Sequence, residues 1–465
     1  MKDLYTTLRN LAYRVVEIFE DLKRQGIIKP TTVTLLRYRF VNLRYDENDG
    51  IRYDDIKPEF INYELLNEEA LQLLLRQVQN HPLYLEALQY ITTIYMISYD
   101  NAVRLLNEFV ATIAQTYVSG VFNDEAVEDT IVAFIDDATN SPALCKDLAH
   151  LYGLVLRFDE VDLGGGVRLR RPKQDDLFPE YPMDMVLRGL APLPIMLSTM
   201  QLPSAILEVK QKAHNEMEPL DRIERLVMTL RLYKPCSVFA GLTWITCKTL
   251  VRSMRYMGTF SPQELHTPII YNCKLGIEEV VTLREFINEV EPYIQTSYVY
   301  GEPRDYLSIA LQRYSDALFK VYPIERLTYA IMGLEALYLT GGGEQTHRLA
   351  QRISRVMGLY GFSPLGVYDE IRQAYDLRSR FVHGGSFAGK EIEFARQLVD
   401  KVMRYLQLSI LTFLELKHKA GLSKEDIIKI IDGSLLDIQQ LQYLERHIKE
   451  KCRITTSIAK TYMKQ

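Results

Sequence analysis

The sequence predicts a mainly α fold with a mixed α/β middle region and an antiparallel helix bundle toward the C-terminus. Three observations lead there: helical apolar spacing at both ends of the chain, β-prone runs around glycines between them, and a globular composition. The 465 residues are 47% hydrophobic and 25% charged. Those values fit a globular chain with room for two or three domains. They disfavour a disordered, collagenous or membrane-embedded protein.

Residues 1–150 read as a mainly helical N-terminal region. Leu4, Leu8, Leu11, Val15, Ile18 and Phe19 fall on one helical stripe. The same style continues over Leu65–Val78 and Tyr84–Tyr117. Thr31–Tyr45 opens with β-branched and aromatic residues and reads as a strand.

Residues 151–300 read as a mixed α/β sensor or regulatory region. The runs Leu154–Leu163 and Val167–Arg170 flank Gly164-Gly165-Gly166 and predict a hairpin. Neither a Lys-Ser/Thr pair nor a helix follows the glycines, so turn chemistry explains them better than a phosphate loop. Ser204–Val209 and Val238–Ile245 read as further strands flanking a helix over Pro219–Leu232.

Residues 301–420 return to helical spacing. Leu307, Leu311, Tyr314 and Leu318 form one stripe, and Leu327, Ile331, Leu334 and Leu337 a second. Gly341-Gly342-Gly343 breaks the chain before Leu349, Ile353 and Val356. Pro364 opens a helix through Val367, Ile371 and Tyr375, and Gly384-Gly385 closes it as a C-cap. A long amphipathic stretch from Ile392 to Leu414 completes the bundle. Residues 421–465 add a small helical C-terminal extension.

Charge and cysteine usage narrow the classes. Fifty-five Lys and Arg against 60 Asp and Glu give a net charge of −5, with no global basic field to attract nucleic acid. Over residues 301–420 the count is 16 basic against 13 acidic, too small an excess to define an RNA groove. The five cysteines form no CxxC pair and lack a His at ligand spacing. They read as buried free thiols of a reducing cytosol rather than as disulfides or a zinc site. The start, MKDLYTTLRN, is polar where a signal peptide is apolar. The most apolar later stretch, Leu190–Leu207, is interrupted by Pro192, Pro194 and Pro203. A cytoplasmic protein with no membrane partner is expected.

The chemistry-bearing segment is Asp376-Leu377-Arg378-Ser379-Arg380-Phe381-Val382-His383-Gly384-Gly385. An Arg five positions before a His is uninformative alone. Arg76 and His81 share that spacing, and a surface Arg with a His closing a helix before Pro82 explains them.

Context separates the later pair. Leu334-Glu335-Ala336-Leu337, Arg348-Leu349-Ala350-Gln351-Arg352-Ile353 and Leu377-Arg378-Ser379-Arg380-Phe381-Val382-His383-Gly384 occur in one order at compatible spacing. Together they resemble the HEPN fold in its Apea-like branch. The likeness covers residues 300–420 well. It covers residues 150–300 loosely, through Val161–Arg171 and Pro203–Glu208, and is silent for the first 150. The resemblance implies a HEPN-type antiparallel bundle with Arg378 and His383 as catalytic residues. It further implies a metal-independent endoribonuclease with no cofactor, working as a homodimer or a higher oligomer. The implied role is anti-phage defence or a toxin-like activity, set off by a phage-derived or nucleotide trigger. Whether the RNA substrate is tRNA or mRNA stays open. The alternative is a non-catalytic HEPN protein that binds RNA or nucleotide, or scaffolds an assembly.

The residue types suit the chemistry. Metal-free RNA cleavage moves a proton from the attacking 2′-hydroxyl and another to the leaving 5′-oxygen, and it stabilises charge on phosphorus. His supplies the proton shuttle, and Arg offers a planar fork to phosphate oxygens. His383 falls in the last turn of its helix, where the dipole favours a cation. Five residues turn an ideal helix by about 500°, which leaves the two side chains about 140° apart. Either the helix distorts near His383 or two copies build a shared cleft.

Supporting residues carry alternatives. Glu335 orients Arg378 or pairs with Arg348 or Arg352. Arg380 is a phosphate contact or a solvated charge. Asp376 steadies an Arg across an interface or is plain surface. His347 reads as a helix-start residue. Some HEPN toxins place a modifiable Tyr two positions after the motif His; here Gly385 stands there, which argues against that mode of control.

Overall fold

The structure, a computed structural model, describes every residue except 1, 47–49, 178–180, 183–201, 216, 251–254, 260–272, 296–304, 342–344 and 464–465. The apolar stretch from position 190 to 201, the helix boundary near position 304 and Gly342-Gly343 therefore lie outside the described residues. Helix α1 (Lys2–Arg24) is the expected amphipathic stripe. Strand β1 (Thr31–Val41) pairs antiparallel with β2 (Asp55–Leu65), Thr31 opposite Leu65 and Val41 opposite Asp55. Helices α2 (Glu68–Val78), α3 (Pro82–Ile94), α4 (Tyr99–Val118) and α5 (Asp124–Ala138) follow. The continuous helical run expected over Tyr84–Tyr117 is broken between α3 and α4, where Met96 adopts a positive φ of 53°. His81 starts a helix rather than simply closing one: its Nδ1 accepts the Leu83 N–H at 3.2 Å, an N-cap in front of Pro82.

The middle of the chain carries the short strands. These are β3 (Ala143–Tyr152), β4 (Leu154–Leu156), β5 (Glu160–Gly164), β6 (Val167–Arg170), β7 (Ala205–Ala213), β8 (Phe239–Cys247) and β9 (Cys273–Leu275). Helix α6 (Met217–Tyr233) separates β7 from β8, and α7 (Val280–Val290) follows β9. The expected β5–β6 hairpin forms, and Gly164, Gly165 and Gly166 all have positive φ, so the triple glycine is indeed a turn. Beyond it lie α8 (Tyr306–Leu318), α9 (Pro323–Tyr338), α10 (Gln345–Leu359), α11 (Pro364–Val382) and α12 (Gly389–Ala420). Helices α13 (Lys424–Leu436), α14 (Ile438–Lys451) and α15 (Arg453–Met463) end the chain. These last three make up the small helical extension that the sequence pattern indicates over residues 421–465.

The chain forms two compact units, each discontinuous in sequence. One holds Met1–Ala149, Arg171–Leu220 and Leu242–Gly258; the other holds His150–Arg170, Asp221–Gly241 and Thr259–Gln465. In the first unit, α1 packs with α2 to α5 around Leu8, Leu11, Phe19, Leu74, Phe109 and Phe134. Its strands β7, β3 and β8 are neighbours in that order. This adjacency corrects the cysteine expectation: Cys145 on β3 and Cys247 on β8 form a disulfide across 102 residues of chain. Sequence spacing hides the pair because only strand pairing brings it together. Cys236, Cys273 and Cys452 are buried free thiols as expected.

In the second unit α9 is the central rod. It packs against α8, α11 and α12 and buries a broad face, with Ile324, Leu327, Ile331, Leu334 and Tyr338 along one stripe and Arg326, Ala330 and Gly333 beside it, while Glu325, Tyr329, Met332 and Ala336 are half-buried. Gly333 permits the close approach of α12, since a Cβ there would stand 2.9 Å from a methyl of Leu406. Arg352 on α10 forks onto both oxygens of Asp432 on α13 at 2.7 Å. Buried Glu415 on α12 accepts the Thr455 N–H at 3.0 Å and its hydroxyl at 2.7 Å, which fixes the start of α15. Among the described residues no helix is long and apolar enough to cross a membrane.

Candidate functional site

Helix α11 is built in the usual way for a core-facing helix. Ser363 caps it, Pro364 takes the first position, and Val367, Ile371, Ala374 and Leu377 bury one face. Arg378 stands seven residues after Ile371 and four after Ala374, hence on the edge of that buried face. A guanidinium there needs a counter-charge, and α9 supplies it: Arg378 Nη2 lies 3.3 Å from Oε2 of Glu335. The side chains are only 24% and 18% exposed. Of the partners open to Glu335, the structure selects Arg378; Arg352 is taken by Asp432, and Arg348 is exposed on the first turn of α10.

Tyr375 completes this group. Its ring centre is 5.6 Å from the Arg378 guanidinium carbon. Burial pushes the Glu335 carboxyl above its ordinary range, against the opposing pull of Arg378 and a hydrogen bond with Tyr375. Burial also raises the Tyr375 hydroxyl. The Nε of Arg378 is buried without a hydrogen-bond partner, so the guanidinium fork is not fully used.

His383 sits at the other extreme. It is the C-cap of α11, and its side chain is exposed. The helix stays regular to its end, with the His383 N–H donating to the Ser379 carbonyl at 3.1 Å. The chain then leaves through a Schellman motif: Gly384 N–H donates to Phe381 O at 3.1 Å and Gly385 N–H to Arg380 O at 2.8 Å. Gly384 has φ +74°, and a Cβ on Gly385 would stand 2.9 Å from the Arg380 carbonyl oxygen. Both glycines are therefore required, for different reasons. With the helix undistorted, Arg378 turns inward to α9 while His383 turns to solvent. Among the described residues no hydrogen bond joins the two.

The other expected residues fall around this axis. Arg380 is exposed, yet it is not a merely solvated charge: it pairs with Glu391 at 2.7 Å and lies over the Phe387 ring at 4.8 Å. Glu391 also accepts the Ala388 N–H at 2.9 Å, so Arg380 ties the end of α11 to the start of α12. That hydrogen-bonded pairing lowers the Glu391 carboxyl. Asp376 is exposed and lines a shallow concavity of about 310 Å³ together with Leu377, Arg380, Lys390 and Phe394. His347 is the third residue of α10, as its helix-start reading requires, and its Nδ1 meets the Tyr368 hydroxyl at 2.8 Å.

Sequence reasoning missed Tyr368 and Tyr375 as neighbours of the motif. The signal was present: Tyr368, Arg372, Tyr375 and Ser379 recur at intervals of four, three and four along α11. Arg372 lies over the Tyr368 ring at 5.7 Å. The result is an aromatic and basic stripe beside Arg378. Among the described residues no group of His, Cys, Asp and Glu is arranged to hold a metal ion. No protein-family model, curated protein or solved structure matches the chain.

Proposed function

We propose that this chain is a metal-independent endoribonuclease of the HEPN type that acts as a homodimer. The observation that supports this reading best is the division of labour on α11, with an Arg378 pre-set by Glu335 on one side and an exposed His383 at the helix end on the other. A straight helix does not aim both at one phosphate. A second copy placed about a twofold axis supplies the missing half. Exposed Phe381 and Val382, 38% and 55% accessible beside His383, give that contact an apolar component.

The residues then divide the chemistry. The 2′-hydroxyl loses its proton to an imidazole, its oxygen bonds to phosphorus, and the 5′-oxygen leaves with a proton, giving 2′,3′-cyclic phosphate and 5′-hydroxyl ends. Arg378 stabilises charge on the phosphoryl oxygens. Glu335 and Tyr375 hold Arg378 in place. The Tyr368–Arg372–Tyr375 stripe offers stacking and charge to unpaired bases of a tRNA or mRNA. A role in phage defence or as a toxin, under a phage-derived or nucleotide trigger, accords with this activity.

The test is incubation of purified protein with total tRNA and with mRNA in EDTA, followed by analysis of fragment ends. Cyclic-phosphate ends that vanish in His383→Ala support the proposal. Intact RNA that is nevertheless bound, with expression toxicity independent of Arg378 and His383, supports the second reading, a non-catalytic RNA- or nucleotide-binding scaffold. The net charge of −5, which offers RNA no global basic field, favours that second reading.

A further inference from the structure

Cys236 and Cys273 take no part in the α11 motif, and the fold of the second unit brings them together around Gly153. The Cys273 N–H donates to the Gly153 carbonyl at 2.8 Å, and Cys273 stands opposite Leu154 on β4. The segment between α6 and β8 presses on the same glycine from another side. A Cβ at Gly153 would stand 2.6 Å from the Ser237 carbonyl oxygen and 3.3 Å from the Val238 Cα. Its φ of +75° also lies in the region that favours glycine. These approaches make neighbours of two cysteines distant in sequence, and their thiols share a hydrogen bond.

Both are free thiols, 3% and 6% exposed. Burial raises the Cys236 thiol, and the hydrogen bond with Cys273 adds to that rise. Cys236 therefore holds its proton, which keeps the pair reduced and slow toward oxidants. A route to the sulfurs exists, because both cysteines line one cavity of about 440 Å³. That size admits a small molecule and excludes the cysteine of another protein. Among the described residues no third His, Cys, Asp or Glu joins them to hold a metal ion. Two sulfurs already in hydrogen-bond contact need only a short approach to the disulfide bond length of about 2 Å. From this juxtaposition we infer that Cys236 and Cys273 form a redox modification site, a dithiol that a small-molecule disulfide entering the cavity converts to a second disulfide. One sulfur, as its thiolate, attacks the small disulfide and expels one small thiolate, leaving a mixed disulfide. The other sulfur then loses its proton, attacks the bonded protein sulfur and expels the second small thiolate. Two protein thiols are oxidised, the small disulfide is reduced to two thiols, and the two protons pass to them.

The inference stands whether or not the chain cleaves RNA. The test incubates the full native chain at pH 8 with millimolar hydroxyethyl disulfide, then quenches in acid, denatures and alkylates. The free thiols are expected to fall from three to one. Cys452, buried at the end of α14, is the one left free, and peptide mapping is expected to find Cys236 joined to Cys273. The same treatment is expected to raise the melting temperature, because the new bond ties β9 to the segment before β8. Dithiothreitol is expected to reverse both changes. In Cys236→Ser, checked for folding by its own melting curve, the cross-link is expected to be lost and one small-thiol adduct to remain on Cys273. Three thiols that persist in the native chain, while the denatured chain reacts fully, overturn the inference. Adducts on Cys236 and Cys273 with no bond between them also overturn it, as does a cross-link from either to Cys452.

Discussion

Arg378 on α11 and Glu335 on α9 meet at 3.3 Å across 43 residues of chain, with both side chains largely withdrawn from water. Burial raises the Glu335 carboxyl while Arg378 works against that rise. In the folded chain Glu335 therefore holds its proton to higher pH than in the unfolded chain. Stability from this group is fully present below the ordinary carboxylate range and is lost as pH rises through the raised value. Denaturation midpoints of the native chain and Glu335→Gln, compared from pH 4 to pH 7, are expected to diverge. The native chain loses more stability across that window than the variant, and parallel curves would contradict the assignment. Replacing Arg378 by Met removes the opposing charge and moves the transition to higher pH.

The end of α11 depends on two glycines. Alanine at position 384 must adopt φ near +74°, and alanine at 385 meets the Arg380 carbonyl oxygen. Each substitution is expected to cost about 1–2 kcal/mol in urea denaturation. Gly384→Asn is expected to cost less than Gly384→Ala, because Asn tolerates the left-handed region. Equal costs would show that the turn is held by something other than backbone conformation.

The β3–β8 disulfide predicts a thiol count. Denatured, unreduced protein is expected to titrate three thiols, and reduced protein five. Cys247→Ala, or reduction, is expected to lower stability by about 2–4 kcal/mol, since the bond closes a long loop. Five thiols in the unreduced protein would remove the disulfide from the fold.

Local pattern made much of this architecture legible. The Leu4-to-Phe19 stripe, the glycine hairpin, Pro364 at a helix start and Gly384-Gly385 at its end each encode their element within a few residues. Strand β2 escaped because its residue types do not follow its faces: Phe60, 59% accessible, stands on the exposed face with Asn62 and Glu64, and Glu59 on the half-buried face with Ile61 and Tyr63. It therefore lacks the apolar alternation that marks a half-buried strand. Strand β3 does alternate over Ala143, Cys145 and Asp147, but a buried Asp at the third inward position masks the pattern. In the candidate site, Arg378, His383 and Glu335 were legible as residue types. The choice of Arg378 as the partner of Glu335 was not, because Arg348 and Arg352 offered the same charge. Only the packing of α10 on α13, which commits Arg352 to Asp432, separates them.

A phosphodiester held between two copies makes the strongest demand on this account. The direct measurement is RNA cleavage in EDTA by a heterodimer of Arg378→Ala and His383→Ala chains, co-purified on two different tags and checked for dimeric mass. Cleavage above either mutant homodimer, with cyclic-phosphate ends, is expected, because one intact Arg378 and one intact His383 then face a common cleft. A silent heterodimer beside an active native dimer would contradict the shared site, as would full native activity from a protein that stays monomeric.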